Sequence, residues 1–187
     1  MSEPREELVD ELVGLAGNLQ MTYLAASIAV RSMFDSVAQR SFPKLKPGDP
    51  APTMYFSKDD PNDPTRTLYG GWLVADAVAN AREGGPIDTG LGSQLVIVLY
   101  ANWEGEFRPR LARLVGCDPE DVKVPYFGDL RRFRNDILHN QGVAEKSAHC
   151  EIFKWFAAGD TVQIVGERVH DLIARLPKDD LLCQTWQ

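Results

Sequence analysis

One apolar repeat dominates the first 40 residues. Leu8, Leu12, Leu15, Leu19, Tyr23, Ala26, Val30, Met33 and Val37 recur at steps of 4, 3, 4, 4, 3, 4, 3 and 4, a mean close to the ~3.6 residues of a helical turn. The alternation of a strand is absent, so the segment predicts a long amphipathic helix that must lay one face on a core. Ser2 is placed to cap it, Pro4 is tolerated in its first turn, and Glu3, Glu6 and Glu7 sit where the helix dipole favours anions. Gly14 and Gly17 mark where it would bend.

With 187 residues, 44% hydrophobic and 25% charged, the chain has an average globular composition and is long enough to bury roughly 70% of its unfolded surface. The longest apolar runs, Met21 to Val30 and Leu95 to Ala101, fall short of the roughly 20 residues of a membrane-spanning helix. The start, Met-Ser-Glu-Pro-Arg-Glu-Glu, has neither the basic residues nor the apolar core of a secretory leader. Cys117, Cys150 and Cys183 are odd in number and widely spaced, the pattern of reduced thiols rather than disulfides or a zinc cluster. Together these features predict a soluble cytoplasmic protein with no membrane partner.

From Phe42 to Pro64 the texture changes. Pro43, Pro47, Pro50, Pro52, Pro61 and Pro64 stand among aspartates, which excludes a helix and predicts a Pro/Asp-rich loop at about 43–66, with Thr53 to Ser57 as a short strand. Leu68, Trp72, Ala75 and Ala79 then predict a second helix, closed by Gly84-Gly85-Pro86. A loop through Gly90 and Gly92 leads to Ser93 as cap of a third helix carrying Leu95, Leu99, Trp103, Phe107, Leu111 and Leu114. Pro109 lies inside it and predicts a kink, with Gly105 yielding most easily.

Asp118 to Asp121 reads as a helix-start signature over a short turn, and Pro125 opens a fourth helix that ends near Asn140, with Gly142 just beyond. A fifth helix is predicted over about 144–156, then a short extended run, Thr161 to Val165, and a last helix ending at Pro177. No internal repeat is present. The class is all-α: one helical bundle spanning 1–187, with room for two short strands. Trp72, Trp103 and Trp155 fall in apolar stripes and are predicted to be core, whereas Trp186 is a tail residue. The paired glycines at 84–85 and 90–92 lack the Lys-Ser/Thr of a phosphate loop.

The fourth helix holds the richest chemistry. Leu130, Phe133 and Ile137 form its apolar stripe, and Arg131, Asn135 and His139 stack at i, i+4 and i+8 on a polar one. His139 therefore faces away from the core. Arg134 lies about 140° around the helix from His139 at ~100° per residue, so either the arginine reaches across or a second copy of the chain completes the set. Arginine with histidine suits metal-free RNA cleavage: a neutral imidazole takes the proton of a ribose 2′-hydroxyl, and a guanidinium stabilises charge growing on the phosphorane. Asn135 can hold the imidazole or a phosphate oxygen. His139, His149 and His170 lack metal-ligand spacing, so no metal and no cofactor is expected.

Arg134-Asn135-Asp136-Ile137-Leu138-His139 resembles the hallmark of HEPN domains, an Arg followed by a polar residue and then a His after four to six positions. Phe127-Gly-Asp-Leu-Arg-Arg132 before it, Asn140-Gln-Gly-Val-Ala144 after it and Ile152-Phe-Lys-Trp-Phe-Ala-Ala-Gly-Asp160 are similar to bacterial proteins with this domain. Tyr100, Trp103, Glu104 and Arg108 resemble its companion helix. The likeness runs from about 93 to 165. It implies a HEPN-like helical bundle, homodimeric, with the motif helices of two subunits building one cleft. It further implies a metal-independent endoribonuclease of a toxin or defence system, sometimes paired with an antitoxin protein. In that case His139 is the acid/base, Arg134 the phosphate stabiliser and Asn135 the polar partner, and Arg131, Arg132 and Arg108 contact RNA. The alternative is a non-catalytic HEPN-like module that dimerises and binds nucleic acid, nucleotide or a protein partner.

A net charge of −7 opposes binding to a polyanion at long range. Between Ala101 and His139, however, seven Lys and Arg balance seven Asp and Glu, so the excess negative charge lies elsewhere.

Overall fold

The computed structural model describes residues 4–42, 45–58, 60 and 63–186. Ser2 and Glu3, expected to begin the first helix, lie outside the described residues. The chain is mostly helical with one small sheet, and it divides into two compact units, Met1–Leu24 with Thr89–Gln187, and Ala25–Asp88.

Helix α1 (Pro4–Ser41) runs through Gly14 and Gly17 without interruption. In the larger unit its inner face is Leu8, Val9, Leu12, Ala16 and Tyr23, all buried. These pack into one core with α3 (Pro86–Asn102), α4 (Arg108–Val115), α5 (Pro125–His139), α6 (Glu167–Ala174) and α7 (Lys178–Cys183). The ends of the chain meet: Arg5 donates from Nε to the Leu181 carbonyl at 2.7 Å and from a terminal nitrogen to the Gln184 carbonyl at 2.7 Å. This satisfies carbonyls that the end of α7 leaves open. Its guanidinium also lies 5.3 Å from the ring of Trp186, which is 9% exposed and so a packed residue rather than a tail.

The predicted apolar stripe holds through Tyr23 and then drifts. Phe34 and Ser27 are buried, but Met33 is 43% exposed. One 18-residue window of this helix has mean hydropathy 1.3, with 11% of it buried. By length and composition it can therefore cross a membrane, contrary to the expectation that no segment reaches that threshold.

In the smaller unit β1 (Thr53–Ser57) pairs antiparallel with β2 (Leu68–Leu73), Met54 facing Trp72 and Tyr55 facing Gly71. The predicted 68–81 helix thus exists only as α2 (Val74–Ala81); its first six residues are strand, where Gly70-Gly71 weakens the helix and cross-strand pairing replaces it. Trp72 is 45% exposed rather than core, its ring 5.9 Å from Phe34 and 5.7 Å from Phe56. Phe34, Ala77 and Ala81 form a small separate core.

The third helix departs from expectation in two ways. It begins at Pro86, so Gly90, Gly92 and Ser93 are helical rather than loop. A Cβ on Gly92 would lie 1.7 Å from the Ile164 carbonyl oxygen, so glycine here permits backbone-to-backbone contact with the segment after residue 161. The predicted kink is a π turn, Trp103–Phe107. The Arg108 N–H reaches back five residues to the Trp103 carbonyl, and Pro109 is the second residue of α4, directly after this π turn.

Asp118 to Asp121 forms a turn ahead of α5, as the sequence suggests, but the helix predicted over 144–156 is absent: that stretch contains one 3₁₀ turn, Ser147–His149, within irregular chain. The extended run after residue 160 makes a single bridge, Val143 to Thr161. The last predicted helix is present as α6, which ends at Ala174 ahead of Pro177; a further helix that the sequence reading did not include, α7, follows with Pro177 at its N-cap.

Candidate functional site on the fifth helix

Helix α5 starts as the sequence dictates, with extended Val124 before Pro125. Its inner face is Tyr126, Phe127, Asp129, Leu130, Phe133 and Asp136, all buried. Phe127 stacks on Trp103 at 3.7 Å and 2°. The Tyr126 hydroxyl donates to the Leu172 carbonyl at 2.9 Å, and Phe133 stacks on half-buried Trp155 at 5.5 Å and 6°. Aromatic packing on this scale fixes the rotation of the helix.

The two acids on that inner face explain why 144–156 is not helical. Asp129 accepts the backbone N–H groups of Glu151, Ile152 and Phe153 at 2.9, 2.7 and 3.0 Å. Asp136 accepts those of Glu145, Lys146 and Ser147 at 3.0, 3.2 and 2.7 Å, with the Ser147 hydroxyl and, at 2.8 Å, Asn140 Nδ2. The donors a helix would have turned along its own axis are turned onto α5 instead. Burial pushes the Asp136 carboxyl upward; the hydrogen bonds from Ser147, Glu145 and Lys146 outweigh it and hold the group below the usual carboxylate value. The helix closes with Asn140 and Gly142 both donating to the Asp136 carbonyl, and with Gln141 and Gly142 at φ 54 and 76, so Gly142 supplies the left-handed conformation expected of it.

With the inner face fixed, the motif residues lie on the outer side. His139, the last residue of α5, is exposed; Arg134 and Asn135 are half-buried. A terminal nitrogen of Arg134 donates to Asn135 Oδ1 at 3.4 Å. Arg134 forms no ion pair among the described residues, and its polar contact is a neutral amide. The three arginines therefore differ. Arg132 is held by buried Asp129 at 2.7 Å and by Glu151 at 3.1 Å, so its charge is matched. Arg131 is exposed and forms no ion pair among the described residues.

Arg131 lines a cavity of about 310 Å³ together with Arg108, Tyr100, Trp103, Glu104 and Lys123. Arg108 is anchored by Nε to the Val122 carbonyl at 3.2 Å and by a terminal nitrogen to Glu104 at 3.1 Å. The Tyr100 hydroxyl donates to the other Glu104 oxygen at 3.0 Å; burial, then that carboxylate, push the phenol above its usual range. Arg134, Asn135 and His139 are outside this cavity. The candidate residues thus form two sets: Arg108 of α4 with Arg131 of α5 at the cavity, and Arg134 with Asn135 farther along α5, whose last residue is the exposed His139.

Among the described residues no three His, Cys, Asp or Glu side chains converge as a metal-binding group. Sequence reasoning missed the roles of Asp129 and Asp136, which interrupt a helix face otherwise apolar; an acid repeated at i and i+7 on the buried stripe was the available signal. No family model matches the chain, and neither does any curated protein or solved structure.

Proposed function

We propose that this protein is a metal-independent endoribonuclease whose site is built by the α5 helices of two copies. One observation carries the reading: Arg134 keeps an unmatched positive charge on the accessible side of the helix that presents His139, whereas Arg132 nearby is neutralised. An arginine without a carboxylate partner is free to bind phosphate bidentately.

In this reaction His139 takes the proton of a ribose 2′-hydroxyl, and the oxygen attacks the adjacent phosphorus. Arg134 stabilises the charge on the phosphorane, with Asn135 steadying the guanidinium. The bond to the 5′-oxygen breaks, and a histidine of the second copy returns a proton to that oxygen. The products are a 2′,3′-cyclic phosphate and a 5′-hydroxyl. A toxin or defence role, with an antitoxin partner, belongs to the same reading.

The test is incubation of the purified protein with single-stranded RNA in EDTA. Wild type should cleave, and His139→Ala and Arg134→Ala should each lose at least ~100-fold in rate. Inertness of all three, with RNA binding retained, would establish the non-catalytic module instead. Sedimentation tests the composite site separately: a clean monomer at tens of micromolar overturns it.

A further inference from the structure

Helix α1 buries only one of its sides. Leu12, Ala16, Tyr23, Ser27 and Phe34 share a face and are buried. Roughly opposite them, at ~100° per residue, Gly14, Asn18, Met21, Ala25, Ile28 and Ser32 recur at steps of 4, 3, 4, 3 and 4, and all six are exposed. Met21 is 64% and Ile28 61% exposed, and from Leu12 to Val30 no residue carries a charge. A face open to water with this composition marks an interaction surface. Gly14, Met21 and Ile28 stand seven residues apart, and so do Asn18, Ala25 and Ser32, which is the repeat of a seam between two helices. The glycines agree with that. A Cβ on Gly14 or Gly17 would meet nothing within 4 Å, and neither has a positive φ, so nothing within the chain requires glycine in a helix interior where it is unfavourable. Close approach of another helix does require it.

The stripe fits a second copy of itself. In an antiparallel pair centred between Met21 and Ala25, Met21 falls level with the partner's Ala25, Gly14 with the partner's Ser32 and Asn18 with the partner's Ile28. Bulk then meets small side chains, whereas a parallel pair would set Met21 on Met21 and Gly14 on Gly14, a crowded layer near an empty one. Charge favours the same order. Arg5 stands against Glu6, Glu7, Asp10 and Glu11 at one end of the helix, and Arg31 and Arg40 against Asp35 at the other. Antiparallel pairing brings the net negative end beside the net positive one; parallel pairing sets acids on acids. Arg31 Nε is buried without a hydrogen-bond partner among the described residues, and the pairing brings Arg31 level with the partner's Leu15, one turn from the partner's Glu11. A lipid surface fits less well, because polar Asn18 and Ser32 stand on the stripe while the other side of the helix is committed to the core.

We infer that α1 pairs antiparallel with α1 of a second copy through the stripe from Gly14 to Ser32. This surface lies outside 93–165 and contains none of Arg134, Asn135 and His139, so it is additional to the pairing proposed at α5 and does not rest on it. Two isologous contacts on one chain build a tetramer or a longer assembly rather than a dimer.

Sedimentation of wild type and Ala25→Arg at tens of micromolar tests it. Ala25 is exposed and arginine is a good helix former, so the variant should keep the wild-type circular dichroism while a charge enters the seam twice. Wild type should have at least twice the mass of Ala25→Arg, with the Kd of the contact rising from below about 10 µM to above about 1 mM; Met21→Lys should act alike. The result is separable from α5: if the composite site fails, the change takes a dimer to a monomer, and if it holds, the change takes a larger assembly to a dimer. Orientation is read by thiol crosslinking on a Cys117→Ser, Cys183→Ser background. A bismaleimide shorter than ~15 Å, the axial separation of ten helical residues, should join Asn18→Cys to Ile28→Cys in a mixture and should not join Asn18→Cys to itself. The inference is overturned if wild type and Ala25→Arg have the same mass, if Asn18→Cys joins itself as readily as it joins Ile28→Cys, or if wild type floats with phosphatidylcholine and phosphatidylglycerol vesicles and Ala25→Arg does not.

Discussion

Replacing Asp136 by Asn removes one charge and one acceptor from a buried carboxylate while preserving its shape. The surviving amide oxygen can keep only one side of the network. If it keeps the N–H groups of Glu145 and Ser147 and the Ser147 hydroxyl, the new NH₂ faces the Lys146 N–H at 3.2 Å and Asn140 Nδ2 at 2.8 Å. Asn140 is half-buried and can turn to water, but the Lys146 N–H is left against a donor. That loss costs about 1–3 kcal/mol, and the bonds that remain lose the extra strength of a charged acceptor. The expected total is about 3 kcal/mol, which for a chain of this size lowers Tm by about 6–12 °C.

The sign with pH follows from the carboxyl being held below its usual value. A depressed pKa contributes stability that is present above the unfolded value of about 4 and is lost as pH falls through the lower folded value. Asn does not titrate, so the gap between wild type and Asp136→Asn should be full at neutral pH and shrink in acid. Urea unfolding at about pH 7 and about pH 2.5 measures the gap. Amide exchange at Glu145, Lys146 and Ser147 localises it, and these three should open first in the variant. A loss under about 0.5 kcal/mol, or a gap that does not change with pH, would refute the reasoning.

Gly92→Ala places a methyl carbon where the Ile164 carbonyl oxygen stands, so it should cost about 3 kcal/mol or more and expose the segment after residue 161 to proteolysis; a neutral effect on Tm would show that this close approach is not needed. Thiol labelling at mildly alkaline pH should modify exposed Cys183 quickly and leave buried Cys150 intact until the chain unfolds, because burial first and then the Asp129 carboxylate push the Cys150 thiol upward. Equal labelling rates at the two positions would contradict that environment.

Where local signals coincide, the sequence suffices. The 3.6-residue period specifies α1, Pro125 and Gly142 bracket α5, and Thr53 to Ser57 emerges as a strand from its Pro-rich surroundings. Each is a property of neighbouring residues, and so is the outward placement of His139, which follows from its angle to Leu130, Phe133 and Ile137. The errors share one cause. The helix expected over 144–156 competes with two carboxylates on another element, and 68–73 becomes a strand only by pairing with 53–57. Gly92 reads as loop until a distant carbonyl is found against it. Periodicity, caps and turn residues act over one or two helical turns, and they determined the elements. Which donors a buried aspartate satisfies, which glycine admits another backbone and which arginine keeps its charge depend on partners far along the chain, and these only the tertiary structure decided.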